Sequence, residues 1–172
     1  EEYFVMLRWS VLQDRKPIAI RVPSNGVIHT DEEMETEFSY EPRYKVTHEG
    51  EQVAIIAAGS FYQKGERVAN LLKEHKVDAT LINPRYLNAV DAATLEALKK
   101  NHRLVVTLED GCKDGGFGER IASYYSTSDM KVLVGGVKKG LYDRFKVDEL
   151  LADNRLLDSQ IAEDIMNILW KK

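Results

Sequence analysis

Two adjacent carboxylates and a run of glycines are the residues of this 172-residue chain best placed to do chemistry. Glu109 and Asp110 lead into Gly111-Cys112-Lys113-Asp114-Gly115-Gly116-Phe117-Gly118. Glycines ahead of a helix let backbone N–H groups approach an anion, so a phosphate cradle is one reading. The spacing matches neither G-x-G-x-x-G nor the Walker pattern, which requires Gly-Lys-Ser/Thr. Asp110 and Asp114 would also repel a phosphate, so the favoured reading is a tight turn with close helix–strand packing. Glu109 and Asp110 end a strand, where open α/β sheets hold their ligands. Acidic strand ends equally serve as loop anchors and helix caps, and both roles stay open. Arg21 stands before Pro23 and a Ser-Asn-Gly turn. Its guanidinium can grip a phosphate through two N–H bonds, although spacing alone fits an ordinary surface ion pair better. Cys112 sits beside Lys113, a setting that can activate a thiol, but a lone loop thiol is more often incidental. His29, His48, His75 and His102 are scattered, with no pair at metal-ligand spacing. No Gly-x-Ser-x-Gly nucleophile turn is present.

These residues need a scaffold, and the stretch from 53 to 108 supplies its pattern. Val53-Ala54-Ile55-Ile56-Ala57-Ala58 is an unbroken apolar run stopped by Gly59. A half-exposed strand would alternate, so this one is buried on both faces, as in a parallel sheet covered by helices. Ser60-Phe61-Tyr62-Gln63 has capping-box spacing, and Val68, Leu71, Leu72 and His75 follow at helical spacing. Further strands are predicted at 79–83, 103–108 and 131–134, with an edge strand at 44–47 turned by Glu49-Gly50-Glu51 towards residue 53. Asp91 is the N-cap of a helix running to Lys100, a second helix follows the glycine loop, and two more cover 147–152 and 158–170. The fold class is therefore α/β: a three-layer α/β/α domain on a mostly parallel five-stranded sheet with one antiparallel edge strand.

Length allows one domain with an appended element, and a chain of this size buries roughly 70% of its unfolded surface. With one cysteine, no intramolecular disulfide can form, and a cytoplasmic location is the plain inference. Charged residues make up 30% and the net charge is −4, with no basic stripe, which argues against a nucleic-acid partner. No apolar run is long enough to span a bilayer, so no membrane partner is expected. Glu1 and Glu2 stand where a signal peptide would be basic. Residues 3–13 read as a helix that is apolar on nearly every side, which a surface helix should not be. We therefore expect a piece of a longer protein, cut within its preceding domain, with this helix covered by the main domain or a second chain. Residues 17–22 read as a short strand. The expected organisation is 1–26 as the end of a preceding domain, 27–43 as an acidic linker, and 44–172 as the main domain.

Six motifs, in order, are similar to one known family. Ala19-Ile20-Arg21-Val22-Pro23 resembles its Ala-(Val/Ile)-Arg-Tyr-Pro, and His48-Glu49-Gly50-Glu51-Gln52-Val53-Ala54-Ile55 its "REGEDVAIL". Asn83-Pro84-Arg85 through Asp91 resembles "NARFVKPLD", and Val106-Thr107-Leu108-Glu109-Asp110-Gly111 with Gly115-Gly116-Phe117-Gly118 resembles "VTVEEG" and "GGFG". Gly140-Leu141-Tyr142-Asp143-Arg144-Phe145 resembles "GLPDRF", and Leu157-Asp158 resembles "GLDAEGI". Across nearly all its length, the chain resembles the C-terminal portion of the 1-deoxy-D-xylulose-5-phosphate synthase family, among the transketolases. The resemblance implies a transketolase C-terminal-domain fold, residues 1–26 ending a pyrimidine-binding domain, and a homodimeric parent. That parent would use thiamine diphosphate and Mg2+ to join pyruvate, with loss of CO2, to glyceraldehyde 3-phosphate. By the same resemblance Arg21 would bind the acceptor's phosphate, and Arg85, Asp91, Glu109, Asp143 and Arg144 would border the active site or an interdomain surface. Catalytic and metal residues would lie upstream, so no cofactor is expected on this segment alone, and its partners would be the missing N-terminal domains and small-molecule substrates. The chain departs from the family at Ser24-Asn25, Asn88-Ala89, Tyr142 and Lys146-Val147-Asp148, which leaves a changed acceptor open. A split transketolase subunit, an oxo-acid dehydrogenase β subunit, or a non-catalytic dimerisation or regulatory module are the alternatives.

Overall fold

A computed structural model describes residues 2–22, 26 and 38–171. The chain divides into two units, Glu1–Glu41 and Pro42–Lys172.

In the first unit, helix α1 (Glu2–Leu12) forms where the sequence predicts it. None of its residues is buried, and Phe4, Val11 and Leu12 are largely exposed. Its end is closed by Gln13, whose amide group donates to the Ser10 and Lys16 carbonyls while its oxygen accepts from the Arg15 and Lys16 N–H groups. Trp9 meets the rings of Phe38 and Tyr40 at centroid distances of 6.4 and 5.2 Å. Residues 17–22, expected as a strand, are irregular. A strand exists only through hydrogen bonds to a neighbour, and the described part of this unit contains no second strand. Most of the expected acidic linker, residues 27–37, lies outside the described residues.

The second unit is the expected three-layer domain. Strands β1 (Lys45–His48), β2 (Gln52–Ala57), β3 (Thr80–Asn83), β4 (His102–Cys112) and β5 (Lys131–Val137) form one sheet in the order β1-β3-β2-β4-β5. All pairs are parallel except β1 with β3. Successive residues of β2 serve opposite faces. Val53, Ile55 and Ala57 meet Val68 and Leu72 of α2 (Tyr62–Glu74) together with Ile161, Ile165 and Leu169 of the C-terminal helix, residues 158–170. Ala54 and Ile56 meet Leu95 and Leu98 of α3 (Ala92–Leu98) and Phe117, Ile121 and Tyr125 of α4 (Phe117–Tyr125). Full burial of both faces is why β2 carries no polar alternation. Helices α5 (Val147–Asp153) and α6 (Asp158–Trp170) complete the domain. Asp158, at the first turn of α6, takes Lys64 Nζ at 2.9 Å and the Arg67 guanidinium, which ties α6 to α2.

Three local expectations change. The turn at Gly50 does not make a hairpin: β2 is already flanked by β3 and β4, so β1 pairs with the free edge of β3. Ser60 caps no helix; it lies in a 3-10 turn, Gly59–Phe61, that runs into α2 without a side-chain cap. Strand β4 continues to Cys112, paired with Val137, so the loop before α4 is shorter than the glycine run.

Candidate functional site

The strand order reverses between β2 and β4. From β2 the chain crosses through α2 to β3 on one side, and from β3 through α3 to β4 on the other. Open α/β sheets place their ligand sites at the carboxyl ends of the strands flanking such a point. Here β2 ends at Ala57 and leads into Ala58, Gly59 and Ser60, while Glu109 and Asp110, expected to end their strand, lie within β4 just past its last pairing with β2, because β4 runs on beside β5 to Cys112. The Ala58 N–H donates to the Leu108 carbonyl at 2.8 Å, and the Ser60 hydroxyl donates to Asp110 Oδ2 at 3.3 Å. A hydroxyl on a carboxylate ties the two loops together, but without an imidazole in the contact it does not activate a nucleophile.

Glu109 is not open to a ligand. It is 5% exposed, and its oxygens accept from the Phe117 N–H at 3.0 Å and the Gly118 N–H at 2.9 Å. Those two donors belong to the first turn of α4, whose N-cap, Gly116, has no side chain to offer. The carboxylate therefore supplies from a neighbouring strand the acceptor that a serine or aspartate cap would supply locally, and its charge faces the positive end of the helix dipole. The glycines follow from this contact. A Cβ at Gly116 would lie 2.6 and 2.8 Å from the Glu109 oxygens, and one at Gly118 would lie 2.4 Å from Thr107 Oγ1 and 2.5 Å from Val134 Cγ1. The phosphate-cradle reading fails here because the Phe117 and Gly118 N–H groups, the first two of the helix, already donate to Glu109. The reading of a tight turn with close helix–strand packing stands.

Asp91 is the N-cap of α3, as expected. Its oxygens accept from the Thr94 N–H at 3.1 Å and the Thr94 hydroxyl at 2.7 Å, and Oδ2 also accepts from the Tyr44 N–H at 2.9 Å. It thus pins the residue ahead of β1 onto the start of α3. Burial pushes this carboxyl up, but the bonds from Tyr44 and Thr94 outweigh burial and hold it below the usual carboxylate range. Burial pushes the Tyr44 phenol up, and its hydroxyl reaches the Ala89 carbonyl at 3.4 Å.

The remaining candidates are dispersed. Arg21 is exposed in the first unit. Arg85 is half-buried after β3, with its N–H donating to Asn83 Oδ1 at 3.1 Å. Asp143 and Arg144 stand 94% and 93% exposed, 4.0 Å apart. Leu141, Tyr142 and Phe145 of the same segment are exposed as well. Of the candidates, Glu109 and Asp110 lie near the β2–β4 reversal, where the fold favours a ligand, and there Glu109 acts as a helix cap while Asp110 accepts from Ser60.

Sequence reasoning missed a second polar cluster at the amino ends of the strands. The Thr80 hydroxyl accepts from the Gly50 N–H at 2.8 Å and lies 2.8 Å from His102 Nε2, while His102 Nδ1 lies 3.1 Å from the Leu98 carbonyl. Burial holds His102 below its ordinary value, against the opposing pull of the Leu98 carbonyl and the Glu51 charge. No sequence signal could have paired Gly50, Thr80 and His102, which three different elements bring together. Next to it, Glu49, Glu51, Asp78 and Lys76 line an open polar crease with no apolar floor. Among the described residues no group of three or more His, Cys, Asp or Glu could hold a metal ion. No helix of the described residues is long and apolar enough to cross a membrane.

Residues 43–153 match the family model described as Transketolase, C-terminal domain. A curated relative, the 1-deoxy-D-xylulose-5-phosphate synthase of Crocosphaera subtropica, is 32% identical over 160 residues, covering 90% of this chain and 25% of its own length. The synthase of Clostridium perfringens (strain SM101) is 35% identical over 172 residues, covering 98% of this chain and 28% of its own length. The chain thus spans about a quarter of the length of these relatives. A solved structure of a split gene transketolase, an inactive beta4 tetramer, aligns with a TM-score of 0.66 at 24% identity over 78% of this chain and 44% of that chain, a likeness of fold.

Proposed function

The chain belongs to the transketolase C-terminal domain family, and from that membership we propose that it is the C-terminal segment of a thiamine-diphosphate-dependent transferase of the 1-deoxy-D-xylulose-5-phosphate synthase kind. One observation carries the choice among transketolase relatives. The match to the Clostridium perfringens synthase covers 98% of the chain, well beyond the 43–153 segment that the C-terminal domain family describes. The likeness therefore includes the unit that holds α1 and Arg21. In this reading the parent condenses pyruvate, with loss of CO2, with glyceraldehyde 3-phosphate, and works as a cytoplasmic homodimer.

Thiamine diphosphate, held with Mg2+, supplies the carbanion chemistry when bound. The residues described here do not fit that group: the Phe117 and Gly118 N–H groups at the start of α4 are taken by Glu109, and among the described residues no carboxylate cluster suits a metal. We assign its site to the part of the parent that precedes this chain. The segment's own share is to pack, dimerise and border the active site. Arg21 binds the acceptor phosphate as a positioning charge, and the exposed apolar residues of α1 are covered by the rest of the parent or its second copy.

The test is to express the chain together with its upstream reading frame and supply pyruvate, glyceraldehyde 3-phosphate, thiamine diphosphate and Mg2+. Stoichiometric CO2 and 1-deoxyxylulose 5-phosphate are the expected products, with no turnover by the 172-residue chain alone. Decarboxylation of pyruvate with transfer only to other acceptors would refute the synthase assignment and leave the transferase class.

A further inference from the structure

His102 opens β4 with both ring nitrogens engaged. Nδ1 lies 3.1 Å from the Leu98 carbonyl, which can only accept, so Nδ1 carries a proton whenever that bond is made. Nε2 lies 2.8 Å from the Thr80 hydroxyl, which has one proton to give and two lone pairs to receive with. One lone pair takes the Gly50 N–H at 2.8 Å, and the Gly50 carbonyl stands 3.1 Å from the same hydroxyl. Thr80 therefore has two acceptors, Nε2 and the Gly50 carbonyl, for a single proton. Neutral His102 presents a bare Nε2, and the hydroxyl proton belongs there. Protonated His102 presents an Nε2–H, which needs the second lone pair, and the hydroxyl proton is left for the Gly50 carbonyl. Each state satisfies the ring and the hydroxyl without moving a heavy atom. Thr80 is 3% exposed, which leaves water little room to replace either acceptor.

We propose that His102, Thr80 and Gly50 form a proton-responsive relay, in which the charge of one imidazole decides whether the Thr80 hydroxyl holds the ring or the turn ahead of β2. That turn is closely seated. A Cβ at Gly50 would run into the Asp78 carbonyl, and the Glu51 and Gln52 N–H groups donate to the Asp78 and Asn101 carbonyls at 2.8 and 2.9 Å. Its residues Glu49, Gly50 and Glu51 line the open crease together with Lys76 and Asp78. The Glu51 charge favours protonation of the ring, and burial opposes it more strongly. Of the other ionisable groups on the elements around the ring, Asp78 is held by His48 at 2.8 Å, Lys99 by Glu96 at 2.6 Å and Arg103 by Gln52 Oε1 at 3.1 Å, while Glu49, Lys76 and Lys100 are exposed. The ring stays below its ordinary value of 6.5, so as pH falls the unfolded chain binds this proton first. The stability tied to the neutral ring is complete above the unfolded value and is lost as pH falls through the folded one. The relay lies at the amino ends of the strands and is independent of the transferase reading.

The test follows the 13C,15N-labelled 172-residue chain by NMR from about pH 8 to about pH 4, with the His48 ring followed alongside. At the upper end the His102 ring nitrogens are expected to show the Nδ1–H tautomer. As the ring gains its second proton, the Gly50 carbonyl carbon is expected to move downfield with the same midpoint, since a carbonyl that gains a hydrogen bond is deshielded. Thr80→Val keeps the shape and removes the hydroxyl. It is expected to abolish the Gly50 carbonyl response and to lower the His102 midpoint by at least about half a pH unit, because the lost bond is stronger to the charged ring than to the neutral one. Thr80→Ser is expected to restore both. An Nε2–H tautomer in the unaltered chain, a Gly50 carbonyl response that follows His48 instead of His102, or a response that survives in Thr80→Val would overturn the proposal. The first two readings need no variant to fold.

Discussion

Replacing Glu109 with alanine should destabilise the domain by about 3–5 kcal/mol. The figure follows from the contact. Two buried N–H groups, those of Phe117 and Gly118, donate to one carboxylate at 3.0 and 2.9 Å. A hydrogen bond to a charged acceptor contributes about 1.5–3 kcal/mol, and losing the acceptor leaves both donors desolvated and unmet. Glutamine is the sharper probe. It keeps one oxygen for one N–H but turns an NH2 group towards the other, so a loss of about 2–3 kcal/mol is expected even though size and shape are preserved. Urea unfolding at pH 7 measures both, and for a chain of this length each kcal/mol should lower Tm by about 2–4 °C. Native-state hydrogen exchange adds a local signature: the Phe117 and Gly118 amides should exchange faster in either variant, ahead of amides in α6. A loss below about 1 kcal/mol for Glu109→Ala, or a Glu109→Gln protein as stable as the parent, would refute the claim that this carboxylate holds α4 in place.

Thr107 is fully buried and its hydroxyl has no hydrogen-bond partner, so Thr107→Val should raise stability by about 1 kcal/mol in denaturant titration; a loss would mean that the hydroxyl is satisfied in solution. Asp91 is held below its ordinary value of 3.8 in the folded chain, so on acidification the unfolded chain takes up the proton first. The stability it contributes is present above its unfolded value and lost as pH falls through the folded one. Asp91→Asn should therefore cost about 1–2 kcal/mol at pH 7 and progressively less below about pH 4, and a gap that stays constant with pH would count against this assignment. In the full-length parent, Arg21→Ala should lower kcat/KM for glyceraldehyde 3-phosphate on the order of 30- to 150-fold, through the loss of about 2–3 kcal/mol of bidentate contact, and Arg21→Lys should recover part of it. Equal slowing with unphosphorylated glyceraldehyde would make Arg21 a structural residue.

The local, repetitive parts of this protein can be read from its residues. The unbroken run from Val53 to Ala58 announces a strand buried on both faces, because a side-chain period of two leaves no polar position when both faces are covered. The stripe at Ile161, Ile165 and Leu169 announces α6, and Asp91 three residues before Thr94 announces the start of α3. Short-range spacing decides each of these. The isolated apolar run at 17–22 shows the limit of such reading, since a strand needs a partner that the run itself does not name. Tertiary structure alone decided everything that joins distant residues. Ser60 has the spacing of a helix cap, yet its hydroxyl turns to Asp110, fifty positions away, while Glu109 reaches across from its strand to cap α4. Strand β1 passes over its sequence neighbour β2 to pair with β3, because β2 has no free edge. Gly50, Thr80 and His102 meet only at the amino ends of three strands. Periodicity records which faces are buried; it does not record which element arrives to bury them, and the polar contacts of this chain are set by that arrival.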